Sequence, residues 1–461
     1  MDVNPRHRSV IDPGLAPAAL WTRAYLRLCE ATPGSSCLTI ALRRDDGTAS
    51  IFHTRVLAAG VDDAATFRHV ERTVKFLLWS RGAPDVLLCG ARATDLADRL
   101  QADYAPSGAR AFDAEFLHKA FDKPLTFRAT TEEGLPNASA SHLPLGRNLD
   151  GCRIGFDLGG SDRKCAALID GKVVFSEEVK WDPYFQADPA YHLAGIRHSL
   201  SLAAKHLPRI DAIGGSSAGV YVNNRVRVAS LFRGVTDPQV FVSQVRDIFV
   251  DLAKEYGAPF EVLNDGDVTA LAASMSLGRN AVLGVAMGTS VAAGYVDQAG
   301  KLTNWLSELA FVPVDYRADG PTDEWSGDRG CAVQFFSQQG VGRLLPLAGI
   351  SLPATMRLPE QLEELQRLMV DGDPRARLVY EAVGIAFGYA IAHFAGFYEM
   401  NCLLIMGRVT SGQGGTIIVE QARAVLRDEF PELRIDLVVP DEKDRRHGQA
   451  IAAASLPSLR R

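Results

Sequence analysis

Three short stretches carry residue types suited to handling a phosphate and a proton. In GFDLGGSDRKCAALIDG (155–171), Asp157 ends an apolar run, and Gly159, Gly160 and Ser161 form the turn that follows. Glycines let a backbone approach an anion closely, and successive turn N–H groups make an anion-binding nest. Asp157 is placed to hold a hydrated magnesium ion, a hard cation that prefers oxygen ligands. In LGVAMGTSVAAGYVD (283–297), Gly288, Thr289 and Ser290 sit in a second hairpin turn and offer a hydroxyl and N–H groups to a terminal phosphate. In FEVLNDGDVTALAA (260–273), an apolar run stops at Asn264 and Asp265 before a stretch of small helix formers. Asp265 is either the cap of that helix or a carboxylate base at the mouth of a cleft, and the two roles are compatible. A lone Asp-x-Gly-Gly is as readily an ordinary hairpin turn. Two such hairpins with Asn-Asp between them are far more specific. A glycine turn at 407–415, beginning at Gly407 after an apolar strand, is a further element of the kind that borders a nucleotide.

Strands and helices must deliver these turns to one place. Residues 152–179 read strand, turn, strand, turn, strand. A helix over 189–206 leads to IDAIGGSSAG (210–219), and another helix to APFEVLND (258–265). Beyond the hairpin at 280–303 come a polar, loop-rich stretch to 330, helices over 331–400, a strand in NCLLIM, a helix, a strand in RIDLVVP and an alanine-rich helix at 447–455. Strands alternating with helices predict an α/β fold. Upstream, one short amphipathic helix is expected over 18–29. A DDG turn then joins two strand-like runs at 37–57. A helix over 67–80, the run PDVLLCG (84–90), another helix and KPLTFRAT (123–130) follow. This order parallels 151–280. Residues 36–131 are therefore either a degenerate copy of that lobe, without the glycine turn and the Asn-Asp, or an unrelated small α/β domain. The expected organisation is an N-terminal extension (1–35), an accessory domain (36–148) ending in a linker from 132, a first lobe (149–280) and a second lobe (281–461).

Bulk composition excludes several classes. A chain of 461 residues with 47% hydrophobic content has ample core for two or three domains. The net charge of −6 is well mixed along the chain, which leaves no basic footprint for nucleic acid or a membrane surface. Seven scattered cysteines, without a C-x-x-C, fit free thiols in a reducing compartment. No segment reads as a signal peptide or a bilayer span. The expected location is the cytoplasm.

The ordered set of motifs resembles the superfamily of sugar kinases, heat-shock ATPases and actin, and within it the ROK family of sugar kinases and sugar-responsive repressors. The resemblance runs over roughly 151–455. It rests on DLGGS (157–161), LND (263–265), MGTS (287–290), LSELAFVPVD (306–315), SGDRGCAVQFFS (326–337) and LLIMGR (403–408). It implies an actin-like ATPase fold, in which two RNase H-like lobes close over a sugar and ATP. It implies that Asp265 is the general base that takes the proton as a sugar hydroxyl attacks the γ-phosphoryl. Asn264, Glu308 and Gln334 would contact the sugar. Asp157, through water, would hold magnesium. Gly159, Gly160, Ser161, Gly288, Thr289, Ser290 and Gly407 would border the nucleotide.

The sequence also departs from that pattern. Phe311 stands where a sugar-contacting, zinc-ligating His is usual, and Gln334 replaces a Glu. Glu324 and Ser326 stand where two zinc cysteines would be, which leaves Cys331 alone. One thiol cannot build a tetrahedral site, so no zinc is expected. Ser290, Ala292 and Ala293 make the second phosphate turn poorer in glycine, and Arg408 follows Gly407 where a second glycine is usual. That arginine would either obstruct the adenosine or reach a phosphate. The loop 227–234 lacks an Asn near Ser230. Without a winged helix before residue 150, a repressor is not expected. The expected function is ATP- and magnesium-dependent phosphorylation of a sugar or related hydroxyl acceptor. The alternative is a non-catalytic sugar- or nucleotide-binding regulator on the same fold. A different acceptor class would show Phe311 and Trp305 lining a pocket too apolar for a bare hexose. The expected partners are a sugar-like small molecule and a nucleotide, with a homodimer among the expected assemblies.

Overall fold

Apolar alternation and turn residues place the elements close to where the pattern puts them. The computed structural model describes residues 1, 3–139, 145–228, 231–439 and 445–459; Ser230 lies outside them. Helix α1 (Ala18–Ala31) precedes a hairpin of β1 (Ser36–Arg43) and β2 (Ala49–Val56). In its turn, Asp46 accepts from the backbone and hydroxyl of Thr48 at 2.9 and 2.6 Å. Helix α2 (Asp63–Ser80) is capped by Asp62. Then come β3 (Asp85–Gly90), α3 (Ala93–Asp103), α4 (Ala111–Phe121) and β4 (Thr126–Ala129), in a sheet of order β2-β1-β3-β4.

The next sheet holds β5 (Cys152–Leu158), β6 (Asp162–Ile169) and β7 (Lys172–Lys180) as an antiparallel meander. Helix α5 (Pro189–Ala204) crosses to β8 (Ala212–Ser217), parallel to β5. A small ribbon of β9 (Val220–Val222) and β10 (Arg225–Val228) follows, with helices α6 (Pro238–Val240) and α7 (Ile248–Tyr256) leading to β11 (Phe260–Asn264). The order is β11-β8-β5-β6-β7. Helix α8 (Asp265–Leu277) leads out of this sheet. The last sheet, β13-β12-β14-β15, combines the hairpin β12 (Val282–Met287) and β13 (Val291–Val296) with β14 (Cys402–Met406) and β15 (Asp436–Val438). Helices α9 (Gln338–Leu347), α10 (Leu358–Val370), α11 (Pro374–Phe394) and α12 (Gly412–Glu429) cover it, and α13 (Arg445–Ala454) closes the chain. Among the described residues no helix is long and apolar enough to cross a membrane.

Two observations bear on the expected organisation. Residues 36–131 are not a copy of the lobe at 151–280 in strand polarity. In the lobe β8 runs parallel to β5, whereas β3 runs antiparallel to β1. A helical crossover returns the chain parallel to the strand it left. After a three-stranded meander that direction matches the first strand; after a two-stranded hairpin it opposes it. The lobe boundaries also interlock. Helix α8, counted with the first lobe, packs on β12 and β13, while α13, counted with the second, packs on β5 and β8.

The close approach of α13 explains two glycines. A Cβ on Gly155 would lie 1.8 Å from the Ala450 carbonyl oxygen, and one on Gly214 would lie 1.7 Å from that of Ala453. The accessory unit is fused to the second lobe by a continuous apolar core that joins Leu38, Phe76 and Trp79 to Leu283, Leu309 and Phe394. The first lobe keeps its own core around Phe156, Phe249 and Ile213. The N-terminal extension is bonded to the second lobe as well: Ala18 N–H donates to Val314 and Tyr316 N–H to Ala16. Gly214→Ala is expected to lower stability by about 2–3 kcal/mol, because helix and sheet backbones must separate to admit the methyl group. A urea melt of the variant against the parent measures it.

Candidate active site

The strands β5, β8 and β11 end side by side. Asp157 is in register with Ser216, Leu263 with Ser216, and Asn264 with Ser217. At about 4.8 Å per strand, Asp157 and the start of α8 stand about 10 Å apart along one edge. Ligands of open α/β sheets bind outside these carboxyl ends. Asp157 is 5% exposed and accepts from Ser216 Oγ at 2.6 Å. Burial raises its pKa against that hydrogen bond and the charge of Lys164. The Lys164 ammonium is 3.7 Å from Asp157 and 3.1 Å from Asp162.

The capping role at α8 belongs to Asn264 rather than Asp265. Asn264 Oδ1 accepts from Gly266 N–H at 2.8 Å, and its Nδ2 donates to the Gly219 carbonyl at 2.8 Å. Asp265 makes only a secondary contact with the same N–H, at 3.0 Å, and forms no ion pair among the described residues. Burial, then the charge of Asp157, raises its pKa to about 6. Glu308 is raised to about 7 by burial and then by Asp265. The structure therefore gathers Asp157, Asp265 and Glu308 within one electrostatic field. Asp267 and Tyr221 belong to the same neighbourhood and were not singled out from the sequence. Burial lifts the Asp267 carboxyl well above the usual range, and Tyr221 Oη donates to Ser217 Oγ at 2.7 Å. The Gly-Asp step after Asp265 was the available signal for Asp267, an acid in a helix first turn.

The turns are formed as hairpins. Gly159 N–H donates to the Asp162 carbonyl at 2.9 Å, and Ser161 Oγ to the Asp162 carboxylate at 2.9 Å. At Gly160 the absent side chain makes room for Tyr184, whose ring a Cβ would meet at 2.3 Å. That face of the turn is thus covered by an aromatic ring. Gly288 N–H donates to Ser290 at 2.9 Å, with Thr289 and Ser290 exposed beyond it. Gly407 has φ +99°, and a Cβ there would lie 2.4 Å from the Met287 carbonyl oxygen, so this turn is laid directly against the end of β12. Arg408 points to α10 and pairs with Glu363 at 3.2 Å.

No protein-family model and no curated protein matches the chain. Solved structures do match it. The ROK hexokinase from Thermus thermophilus aligns over 66% of this chain and 96% of its own, with a TM-score of 0.53 and 19% identity. A ROK family transcriptional regulator, a homolog of the E. coli MLC protein, aligns over 67% and 79%, with a TM-score of 0.50 and 20% identity. The chain has the ROK fold. A hexokinase and a transcriptional regulator share that fold, so catalysis has to be argued from the site.

The accessory unit holds the segment that carries Glu308. The last carbonyls of α2, those of Trp79 and Ser80, and that of Arg81 just beyond it accept from the N–H groups of Glu308, Ser307 and Leu306 at 3.0–3.1 Å. Orphan groups at a helix end are thereby satisfied, and Glu308 is held in place. Phe311 packs against Trp79 at 4.3 Å and Phe112 at 5.6 Å. Trp305 does not join it; it lies between Tyr295, stacked at 5.2 Å, and the Arg81 guanidinium at 3.3 Å. Gln334 is directed toward α9, where its amide donates to Gln339 at 3.1 Å.

The cysteine segment holds an ionic cluster. Lys75, from α2, is fully buried and reaches Asp113 at 3.0 Å and Asp328 at 2.7 Å. Arg72 pairs with Glu71 at 2.5 Å and Asp328 at 2.9 Å, and Arg110 with both at 2.6 Å. Cys331 Sγ is 3.9 Å from Asp328, its pKa pushed up to about 12 by burial. A single neutral thiol beside two cations does not fit a zinc ion, which needs four deprotonated or imidazole donors. Asp157 and Asp162 are the oxygen donors on offer to a hydrated magnesium ion, and Lys164 lies against both. Because no group of three or more His, Cys, Asp or Glu among the described residues surrounds a metal position, such an ion would keep most of its water.

Lys75→Met should cost about 3–5 kcal/mol in urea melts, because it leaves Asp113 and Asp328 buried without their shared cation. Asp265→Asn should act oppositely. The folded pKa of Asp265 is raised from 3.8 to about 6, so its ionisation opposes folding above that window and has no effect below it. The variant is expected to be about 1–3 kcal/mol more stable than the parent at slightly alkaline pH. Paired melts across pH should show the gap closing as acid protonates Asp265 in both states.

Proposed function

We propose that the protein transfers a phosphoryl group from ATP to a hydroxyl of a sugar or a related acceptor, with Asp265 as general base. The observation that supports this best is Asp265 itself: a carboxylate at a strand end, relieved of capping by Asn264, without a cation partner among the described residues and raised to about 6. A base with a pKa just below the working pH is ionised yet still basic enough to take a proton from a hydroxyl. Glu308, held up to about 7, offers the acceptor either a donor or an acceptor oxygen. Asn264 keeps one amide hydrogen beyond its bond to Gly219, and Gln334, buried and bonded to Gln339, would complete the acceptor-side contacts. The turns at Gly159, Gly160 and Ser161 and at Gly288, Thr289 and Ser290, with Gly407, would border the nucleotide phosphates. Asp157 would hold magnesium through water; that ion would supply charge neutralisation at the phosphates. Lys164 balances Asp157 and Asp162.

Two observations favour a second reading, a non-catalytic sugar- or nucleotide-binding regulator. Phe311 is covered by aromatic rings of the accessory unit, and Lys164 already neutralises the carboxylates proposed for magnesium. ADP formation with a panel of hexoses, amino sugars and polyols separates the two readings. The first expects acceptor-dependent turnover that rises with pH through about 6, the pKa of Asp265. In Asp265→Asn the rate should fall by about 10²–10⁴-fold. If no acceptor stimulates turnover and ATP with magnesium gives no thermal shift, the phosphotransferase reading fails.

A further inference from the structure

The accessory unit is joined very differently to the two lobes it touches. Toward the second lobe the join is buried and continuous. The Lys75 cluster lies in it, and one apolar core runs through it. Backbone groups add to it. The N–H groups of Leu306, Ser307 and Glu308 donate to the end of α2, the Arg44 guanidinium to the Asn304 carbonyl, and the Arg81 guanidinium to that of Phe397. The chain leaving the unit stays on the same side: Ser139 is bridged to Ala49, and the Leu145 carbonyl accepts from Leu302 N–H.

Toward the first lobe, among the described residues, one ion pair crosses from 36–131 to 149–264, that of Asp122 with Arg227. Asp122 follows α4 at φ +56°, with its side chain 61% exposed. The rest of this seam is contact between α4 and the ribbon of β9 and β10. Alternation along the ribbon divides its side chains. Val220, Val222 and Val228 turn to the core shared by the accessory unit and the second lobe, and Tyr221 and Val226 to the core of the first lobe. Val222 and Val228 are only half-buried. A cavity of about 200 Å³ lies in the same junction, with Arg44 and Phe121 on one wall, Val222 and Glu261 on another and Leu306 on the third. Close-packed interiors hold few voids of that size. A half-exposed ion pair holds weakly, whereas a buried cluster is costly to break. The two joins therefore differ in which one can yield.

We propose that the accessory unit rides on the second lobe as one rigid body, and that its contact with the β9–β10 ribbon is a releasable latch between the two lobes. When the lobes part, the contact that gives is the one between α4 and the ribbon. The latch bears on the candidate site. The Gly219 carbonyl, just before β9, accepts from Asn264 Nδ2, and Tyr221, on β9, bonds to Ser217. Shut, the latch walls off the Asn264 end of the cleft. Released, it frees the ribbon that leads from Gly219. The proposal does not depend on phosphotransfer, because it concerns only which contact yields.

The test is a pair of spin-label distances in the full chain, with Cys37 and Cys89, the two cysteines that are not buried, replaced by Ser. Glu115→Cys on α4 with Lys254→Cys on α7 spans the latch. Glu115→Cys with Val370→Cys on α10 spans the join to the second lobe. All three positions are exposed. Asp122→Asn removes the charge and keeps a residue suited to positive φ. Arg227→Glu sets a second carboxylate against Asp122. Asp122→Asn is expected to raise the ratio of longer to shorter distances across the latch about two- to fivefold, Arg227→Glu to raise it further, and both to leave the Glu115–Val370 distance as in the parent. Folded variants that keep the parent's distances across the latch overturn the proposal. So does lengthening of the Glu115–Val370 distance, which places the yielding contact at the second lobe. If Arg227→Glu does not fold, Asp122→Asn alone decides.

Discussion

An ammonium group sealed from solvent must be neutralised by the protein around it, and Lys75 is such a group. Against the burial penalty, Asp113 and Asp328 keep it charged. With Arg72 and Arg110 facing Glu71 and the same Asp328, three cations meet three carboxylates. The cluster joins α2 and α4 to the cysteine segment of the second lobe. It therefore fixes where the accessory unit sits. From that position follow the carbonyls that hold Glu308, the rings that cover Phe311, and the third wall of the junction cavity. Buried ion pairs are weak contributors to net stability but costly to break. This one acts as a device for position.

The interlocking helices serve the same end on the other side. Helix α8 starts at the catalytic candidate, leaves the first sheet and packs on the second, while α13 returns from the second lobe to the first. The two approaches need backbone contact, which Gly155 and Gly214 permit on one face and Gly294, whose Cβ would lie 2.4 Å from the Gly266 carbonyl oxygen, permits on the other. The carboxylate site is thus held at a seam crossed by two helices. Its electrostatics follow from that seam: Asp157, Asp265 and Glu308 lie in one buried field, without a shared cation among the described residues, and like charges in low dielectric raise one another's pKa.

Several features were legible from local pattern alone. Apolar runs ending in Gly-Gly-Ser, Asn-Asp and Gly-Thr-Ser located the turns and strand ends, because strand period and turn chemistry act over a few residues. The cap at α8 was harder. Asn264 and Asp265 are both good capping residues, and one residue of helix register decides between them. The choice between a repeat and an unrelated domain at 36–131 was left open for a related reason. Hydrophobic pattern marks where a strand lies and is silent on its direction, so a hairpin one strand short looked like the same unit.

By itself, then, the sequence determined the α/β class, the order of the elements and the residue types offered at each turn, since these are set by short-range sterics and hydrogen bonding. Only the tertiary structure decided which of them meet. Lys75 with Asp328, Trp79 with Phe311 and Arg44 with Asn304 are each separated by more than two hundred residues of chain. Their pairing is chosen by packing and by the need to neutralise buried charge, and neither leaves a trace in the local pattern.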